Sequence, residues 1–388
     1  MTVLFDDRGF RMKFGGIPRY FTEIIKRFPA DIKWQVVAWR SENVFLQAAP
    51  FNIKGPEELY TRKVFVDKFL GGHYVRGLDR LFGLLYKLFP KSMGAYRIVN
   101  ERMFRAIARH RDVNIIHLTE PHYYNYDWES TTKGKKIVVT VHDLIPDMVW
   151  NYEWMQPYRK KVLERADAII AVSNYTKDRI VEFYGIPPDK ITVVYHGYLE
   201  YLNQVDETLF PGKRYILYVG NRNSYKNFPF FVRAISPLIK SHTDLFLVCT
   251  GPAFNDEEKE LFVEQGVLGK VIHAFVADSQ MQSLYSHAEA FVYPSQVEGF
   301  GIPILDAFAA RCPVVLSNCS CFPEIAKDAA LYFDDGDDKT LRETIEMLMK
   351  DSVLRATMIA KGLDRVKEFS WQKCADETVA VYKKVLRK

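Results

Sequence analysis

Tyr293-Pro-Ser-Gln-Val-Glu-Gly-Phe-Gly-Ile-Pro-Ile-Leu-Asp306 decides how the rest of this chain is read. The apolar run Ala290–Tyr293 predicts a strand that stops at Tyr293, and Pro303–Ala310 predicts the helix that follows. On the turn between them stand Glu298 and two glycines, Gly299 and Gly301, which permit close backbone approach. Pro303 falls in the first helical turn, a position that tolerates its missing N–H. Unpaired N–H groups at such a helix start attract anions, so a phosphate or a cluster of sugar hydroxyls can dock there. Glu298 adds a carboxylate that accepts two hydroxyl hydrogen bonds, and Asp306 follows eight positions later. Taken alone, the stretch reads as well as a plain helix entry whose acid favours the helix dipole.

Strand, glycine turn and helix form the repeating unit of parallel sheets, and the rhythm continues in both directions. Downstream of a polar break at 203–214, strands are predicted at Tyr215–Val219, Leu245–Cys249, Val271–Phe275, Ala290–Tyr293, Val314–Leu316 and Leu331–Phe333. Helices fall at Pro229–Lys240, Glu257–Gln265, Ser279–His287, Pro303–Ala310, Lys339–Lys350 and Trp371–Arg387. Upstream, strands are predicted at Val3–Phe5, Trp34–Trp39, Asn114–Leu118, Ile137–His142, Ala168–Val172 and Ile191–Tyr195. Helices there are Ile17–Phe28, Ala95–Arg109 and Asn174–Tyr184, the last with Ser173 as N-cap. Several strands are apolar on both faces, as a sheet covered by helices on both sides requires. The expected fold is α/β: two Rossmann-like, doubly wound parallel-sheet domains facing a cleft. The expected domains are 1–203, 204–370 and a closing helix 371–388 that packs back on the first domain. Chemistry belongs in loops beyond the carboxyl ends of the strands.

A length of 388 residues agrees, since a single core rarely serves more than roughly 250–300 residues. With 48% hydrophobic and 26% charged residues the chain is neither disordered nor collagenous. Its apolar runs are too short to span a bilayer, and no signal segment opens it, so a cytoplasmic location is expected. Five scattered cysteines fit reduced thiols, and Cys319-Ser-Cys321 lacks the second pair a zinc site needs. Asn174-Tyr-Thr and Asn318-Cys-Ser match glycosylation acceptors only formally. The net charge of +5 conceals a basic block: twelve Lys and Arg stand against three acids between Arg62 and Arg111. Within it, the amphipathic segment Leu78–Lys91 reads either as a core-facing helix with a solvated edge or as a peripheral contact with anionic membrane. No nucleic-acid module accompanies the charge.

Three further loops stand at strand ends. Tyr218-Val-Gly-Asn-Arg-Asn-Ser-Tyr-Lys-Asn227 carries Arg222 and Lys226 four apart, placed to embrace a diphosphate, or simply solvated. Phe14-Gly-Gly-Ile-Pro-Arg-Tyr20 offers Gly15 and Gly16 for backbone approach to a phosphate. His142-Asp143 ends a strand, where a histidine can bond a sugar hydroxyl or transfer a proton. His117 and His196, also near strand ends, show that such a placement is common.

In this order and spacing the stretches resemble the family 4 retaining glycosyltransferases, two-domain GT-B enzymes that use nucleotide sugars. The likeness runs from Gly15-Gly-Ile-Pro-Arg-Tyr20 through His142-Asp-Leu-Ile-Pro, Gly220-Asn-Arg and Glu298-Gly-Phe-Gly-Ile-Pro. It continues through Pro313-Val-Val-Leu-Ser-Asn, Pro323-Glu-Ile-Ala and the terminal Ser370-Trp helix. The resemblance implies that Arg222 and Lys226 hold the donor diphosphate and stabilise it as it leaves. Glu298 would hold the donor sugar's hydroxyls, and His142 would lie near the reacting sugar. The amides of Gly299, Phe300 and Gly301 would line the pocket, and Gly15 and Gly16 would form the N-terminal glycine loop. The base would lie near Ala274–Val276, beside Phe275. Asp306 departs from the Glu usual at the ribose-binding position. The implied reaction needs no metal and no cofactor beyond its substrate, GDP-mannose or a UDP-sugar. The implied acceptor is a glycan or lipid-linked chain of polysaccharide or lipopolysaccharide biosynthesis. The His142-Asp-Leu-Ile-Pro stretch points to mannose. A sugar-nucleotide epimerase of the same plan and a non-catalytic sugar-nucleotide-binding subunit are the alternatives. A nicotinamide oxidoreductase is disfavoured, because no Gly-x-Gly-x-x-Gly follows the first strand.

Overall fold

A computed structural model describes residues 1–38, 41–53, 94–121, 131–200, 207–222 and 224–387, with backbone alone at 94–99 and 278. The segment 78–91 and most of the basic block lie outside the described residues. Contacts gather the chain into two compact units. The first comprises Met1–Val141, Pro157–Ile170 and Ala375–Lys388, and the second His142–Gln156 and Ala171–Cys374. The units interleave along the sequence, whereas the predicted domains follow one another with divisions at 203 and 370.

Among the described residues twelve strands form two six-stranded sheets, every registered pair of them parallel. The first sheet contains β1 (Thr2–Phe5), β2 (Lys33–Val36), β3 (Ile115–Leu118), β4 (Lys136–Val141), β5 (Ala168–Ala171) and β6 (Ile191–Val193). Its order is β2-β1-β3-β4-β5-β6. The second contains β7 (Arg214–Tyr218), β8 (Leu245–Cys249), β9 (Val271–His273), β10 (Ala290–Tyr293), β11 (Val314–Ser317) and β12 (Leu331–Phe333). Its order, β12-β11-β10-β7-β8-β9, is the Rossmann order read from the far edge. Each predicted strand is present, its ends moved by a few residues at most. Every residue of β3, β5, β10 and β11 is buried, which explains why these strands read as unbroken apolar runs.

Chain direction across the sheet reverses once in each, between β1 and β3 and between β7 and β10. At these switch points neighbouring loops diverge and leave a crevice. The core under the second switch is aromatic: Tyr218, Phe228, Phe231 and Phe262 are all buried. Phe228 packs edge-on against Tyr218 and Phe262, with centroids 4.9 and 6.2 Å away. Each such ring contributes on the order of 1.5–3 kcal/mol by leaving water, which anchors helix Phe228–Ser241 and with it the loop after β7.

The nine predicted helices form, with ends shifted by up to two residues. Two longer ones escape periodicity. Gln156–Arg165 buries only Arg159, Val162 and Leu163, so no apolar stripe marks it. Ser352–Val366 starts two residues after helix Asp338–Lys350 ends, and the Asp351 carboxylate caps it by accepting from the N–H groups of Val353 and Leu354. In the first unit, the end of the last helix is held by Tyr382, whose hydroxyl meets His117 Nδ1 at 2.5 Å.

Candidate active site

The loop after β7 is built to carry cations. Gly220 has φ +108° and donates its N–H to Thr250 Oγ1 at 3.1 Å. A Cβ on Gly251 would strike the Gly220 carbonyl, so the loops after β7 and β8 touch backbone to backbone. A short 3₁₀ turn, Ser224–Lys226, leads to Asn227, whose left-handed φ of +55° starts the helix at Phe228. Lys226 is thereby turned across the switch point. Its ammonium pairs with Glu298 at very close range and donates to the Tyr293 hydroxyl at 3.1 Å. The ammonium also lies over the rings of Tyr225 and Tyr293, 5.2 and 5.1 Å from their centroids.

Both partners are largely withdrawn from water, with side-chain exposures of 13% for Lys226 and 10% for Glu298. Burial is the largest single influence on Lys226 and acts to lower its pKa. The Glu298 charge, its hydrogen bond and the phenols of Tyr225 and Tyr218 outweigh it, so the net shift is upward and the ammonium stays charged. Burial first, and the Glu298 charge second, hold the Tyr293 phenol well above its ordinary value and keep it protonated.

Arg222, four residues earlier, faces another way. Its Nε and Nη2 grip both oxygens of Glu258, and Nη1 donates to the Thr250 carbonyl at 3.0 Å. Nη2 also reaches the carbonyls of Pro252 and Ala253, and the planar group stacks 4.8 Å from the Phe254 ring centroid. With 4% of its side chain exposed, this guanidinium spends most of its donors inside the fold.

The turn carrying Glu298 is seated on His142 and the helix that starts at Asn174. A Cβ at Gly299 would overlap the His142 carbonyl oxygen, so no larger residue fits. The Gly299 carbonyl accepts from Ser173 Oγ at 2.6 Å and Thr176 Oγ1 at 3.3 Å. Gly301 takes φ +87° to open helix Ile302–Ala309. Phe300 is buried against His196, 4.4 Å between centroids, and His196 stacks in turn on Trp371. His142 is buried too, and burial pushes its pKa down to about 3, so the imidazole is neutral at ordinary pH. A small recess, roomy enough for little more than a water molecule, is lined by Asp143, Met148, Tyr175, Arg179 and Glu298 among others.

The structure therefore brings Lys226, Glu298, His142 and Gly299 together. Asp306 lies about one turn into its helix, buried, with one oxygen accepting the Leu199 N–H at 3.0 Å. Phe275, just past β9, is 92% exposed. Gly15 and Gly16 belong to the first unit, where Gly15 takes φ +149° at the start of helix Gly16–Lys26. Sequence reasoning passes over Tyr293, Tyr225 and Glu258. Tyr293 and Tyr225 sit inside the quoted stretches as strand end and loop neighbour, while Glu258 carries no local sign of its bond to Arg222.

Comparison with known proteins bears on the family and the fold. Residues 14–198 match the family model described as Glycosyltransferase Family 4, and residues 202–365 match the one described as Glycosyl transferases group 1. The O-antigen chain mannosyltransferase B of Escherichia coli is 26% identical, over 99% of this chain and all of that protein. The O-antigen chain mannosyltransferase RfbU of Salmonella typhimurium is 30% identical over 56% of this chain and 62% of that protein. Among solved structures, a sucrose-phosphate synthase from Thermosynechococcus elongatus superposes with a TM-score of 0.70 at 17% identity, covering 100% of this chain and 99% of that one. A glycosyltransferase from Rickettsia africae gives 0.68 at 18% identity with the same coverage. These likenesses support the GT-B fold.

Proposed function

Because this chain belongs to the family 4 glycosyltransferases, we propose that it moves mannose from GDP-mannose to a growing glycan or lipid-linked acceptor, retaining the anomeric configuration without a bound metal. The observation that carries this reading is the Lys226–Glu298 pair at the β7/β10 switch point. An ammonium and a carboxylate held by each other are the two groups a sugar diphosphate needs, one for its phosphates and one for its hydroxyls. Donor entry replaces one internal ion pair with two substrate contacts. As the bond between the sugar C1 and the diphosphate oxygen breaks, negative charge gathers on the phosphate. Lys226, the N–H groups at the start of helix Ile302–Ala309, and Arg222 on exchanging Glu258 for phosphate, offset that charge. Glu298 orients the sugar and forms no bond to it. A phosphate oxygen takes the acceptor hydroxyl's proton on the face the leaving group vacates. Neutral His142 contributes a hydrogen bond to the sugar. Phe275 lies beside the base, and Asp306 meets the ribose through water.

In this reading the reaction takes place in the cytoplasm, with residues 62–111 touching the inner face of the membrane. Among the described residues no helix is long and apolar enough to cross it. A thermal-shift screen over GDP, UDP, ADP and dTDP sugars tests the donor, since a ligand at 100 times its Kd stabilises by about 2.7 kcal/mol. GDP-mannose should give the largest shift, and NMR of the product should show an α-linkage from the α-donor. A β-linked product, or stabilisation by none of these sugars, would overturn the proposal.

A further inference from the structure

Beside the Lys226–Glu298 pair runs a strip whose composition that pair does not explain: Trp150-Asn151-Tyr152-Glu153-Trp154. Its three rings are 41%, 41% and 68% exposed in chain order. They form a line. Trp150 meets Tyr225 edge-on at 6.1 Å, Tyr152 lies 5.7 Å from Trp150, and Trp154 lies 6.5 Å from Tyr152. The inner end of the line is fixed, because the Tyr225 ring carries the Lys226 ammonium. The intervening residues are polar, and Asn151 Nδ2 donates to Glu153 Oε1 at 3.1 Å. Asn151 holds a left-handed φ of +49°, a conformation Asn accepts more readily than most residues, and it turns the backbone between Trp150 and Tyr152.

Exposed rings in such number mark a binding surface. Charge decides what binds. Residues 142–156 contain Asp143, Asp147 and Glu153 but no Lys or Arg, so the strip itself offers acids and no cation to phosphate-rich lipid or nucleic acid. A neutral polyhydroxylated chain suits both features. The C–H face of a pyranose packs on the electron-rich face of an aromatic ring, and its edge hydroxyls bond to amide and carboxylate groups. We propose that Trp150, Tyr152 and Trp154 form the acceptor platform, seating successive sugars of a neutral glycan and directing its terminal hydroxyl past Tyr225 to the Lys226–Glu298 pair. This rests on the glycosyltransferase reading above.

The test uses the full chain and α-linked mannotriose. Trp154→Ala should raise the KM for mannotriose by about tenfold, the loss expected for one stacking ring, with kcat changed far less. Trp154→Phe should recover most of that affinity, and GDP should stabilise all three proteins equally. Saturation-transfer NMR should show mannotriose protons contacting aromatic protons in the wild type and losing contact in Trp154→Ala. An unchanged KM would overturn the platform. Equal loss in the Phe and Ala variants would do the same, and so would displacement of mannotriose by phosphatidylglycerol vesicles. Failure of the parent reading looks different: no nucleotide sugar would bind, while mannotriose would still contact the rings.

Discussion

The two sheets offer the same topological opportunity and use it differently. At the β1/β3 switch point one carboxylate is Asp6, 2% exposed and engaged by the fold, while its neighbour Asp7 pairs with Arg11 at 3.0 Å. One oxygen of Asp6 accepts both the backbone N–H of Thr119 at 2.8 Å and the Thr119 hydroxyl at 2.6 Å. Thr119 Oγ1 in turn accepts from Gly9 N–H at 2.8 Å. Those bonds stitch the loop after β3 to the loop after β1 through neutral donors. At the β7/β10 switch point the carboxylate is Glu298, and its partner is a lysine on a separate loop. A backbone N–H that loses its acceptor has nowhere to turn, whereas an ammonium can trade a carboxylate for a phosphate with no net loss. The first crossing is closed by its own hydrogen bonds, and the second is poised for a ligand.

Substitution should separate the two carboxylates. Glu298→Ala or Lys226→Ala should cut transfer by about 10²–10³-fold, the usual loss when one charge-stabilising group is removed. Each leaves a buried charge without its partner, which costs on the order of 3–5 kcal/mol, so denaturant unfolding must accompany the kinetics. The double variant should regain stability but not transfer. Asp6→Ala should show the reverse pattern. It should lose about 1–3 kcal/mol of stability for orphaned donors while GDP-mannose still stabilises the folded protein. Equal losses of transfer at both positions, once corrected for folded fraction, would abolish the distinction.

Arg222 sharpens the contrast within the second sheet. If it exchanges Glu258 for phosphate, Glu258→Gln should leave donor affinity equal or tighter, because a competing charge is gone. Arg222→Ala should weaken GDP binding by about tenfold or more, as loss of a charged hydrogen bond does. If Arg222 only braces the loops after β7 and β8, both substitutions should lower stability alike and spare GDP affinity. Calorimetric titration with GDP distinguishes the two outcomes.

Much of this was legible because buried parallel strands write themselves as apolar runs. Leu245–Cys249 and Val314–Leu316 need no more than that, and Gly301 and Pro303 mark the helix after β10. The functional residue types were legible too, since Lys226 and Glu298 stand in loops at strand ends. Their pairing was not, because it depends on β10 lying beside β7, a neighbourhood created by sheet order between residues 72 positions apart. The same holds for Arg222, whose partner is the third residue of a helix capped by Asn255. Gln156–Arg165 was hidden because it buries one arginine and two aliphatic side chains.

The smallest effect concerns the histidines that close a strand at each site. His117 in β3 engages Tyr382 and Thr140 through both ring nitrogens. His142, just past β4, lies in the second unit beside Gly299. Burial lowers its pKa from 6.5 to about 3, so the folded protein refuses a proton that the unfolded chain accepts. Above pH 6.5 neither state carries that proton and the residue adds no pH dependence. As pH falls below 6.5 the unfolded state binds more protons, and stability drops by up to about 1.4 kcal/mol per pH unit. Carboxylates join in below roughly pH 5, so the clean window runs from there up to 6.5. Across it, His142→Gln should flatten the fall in unfolding free energy by about 1–2 kcal/mol relative to wild type. Transfer by the wild type should show no ionisation from His142 in the same window, because the buried imidazole stays neutral throughout it. A variant with the wild-type slope would mean that His142 reaches water, and with it that the turn carrying Glu298 opens without a ligand.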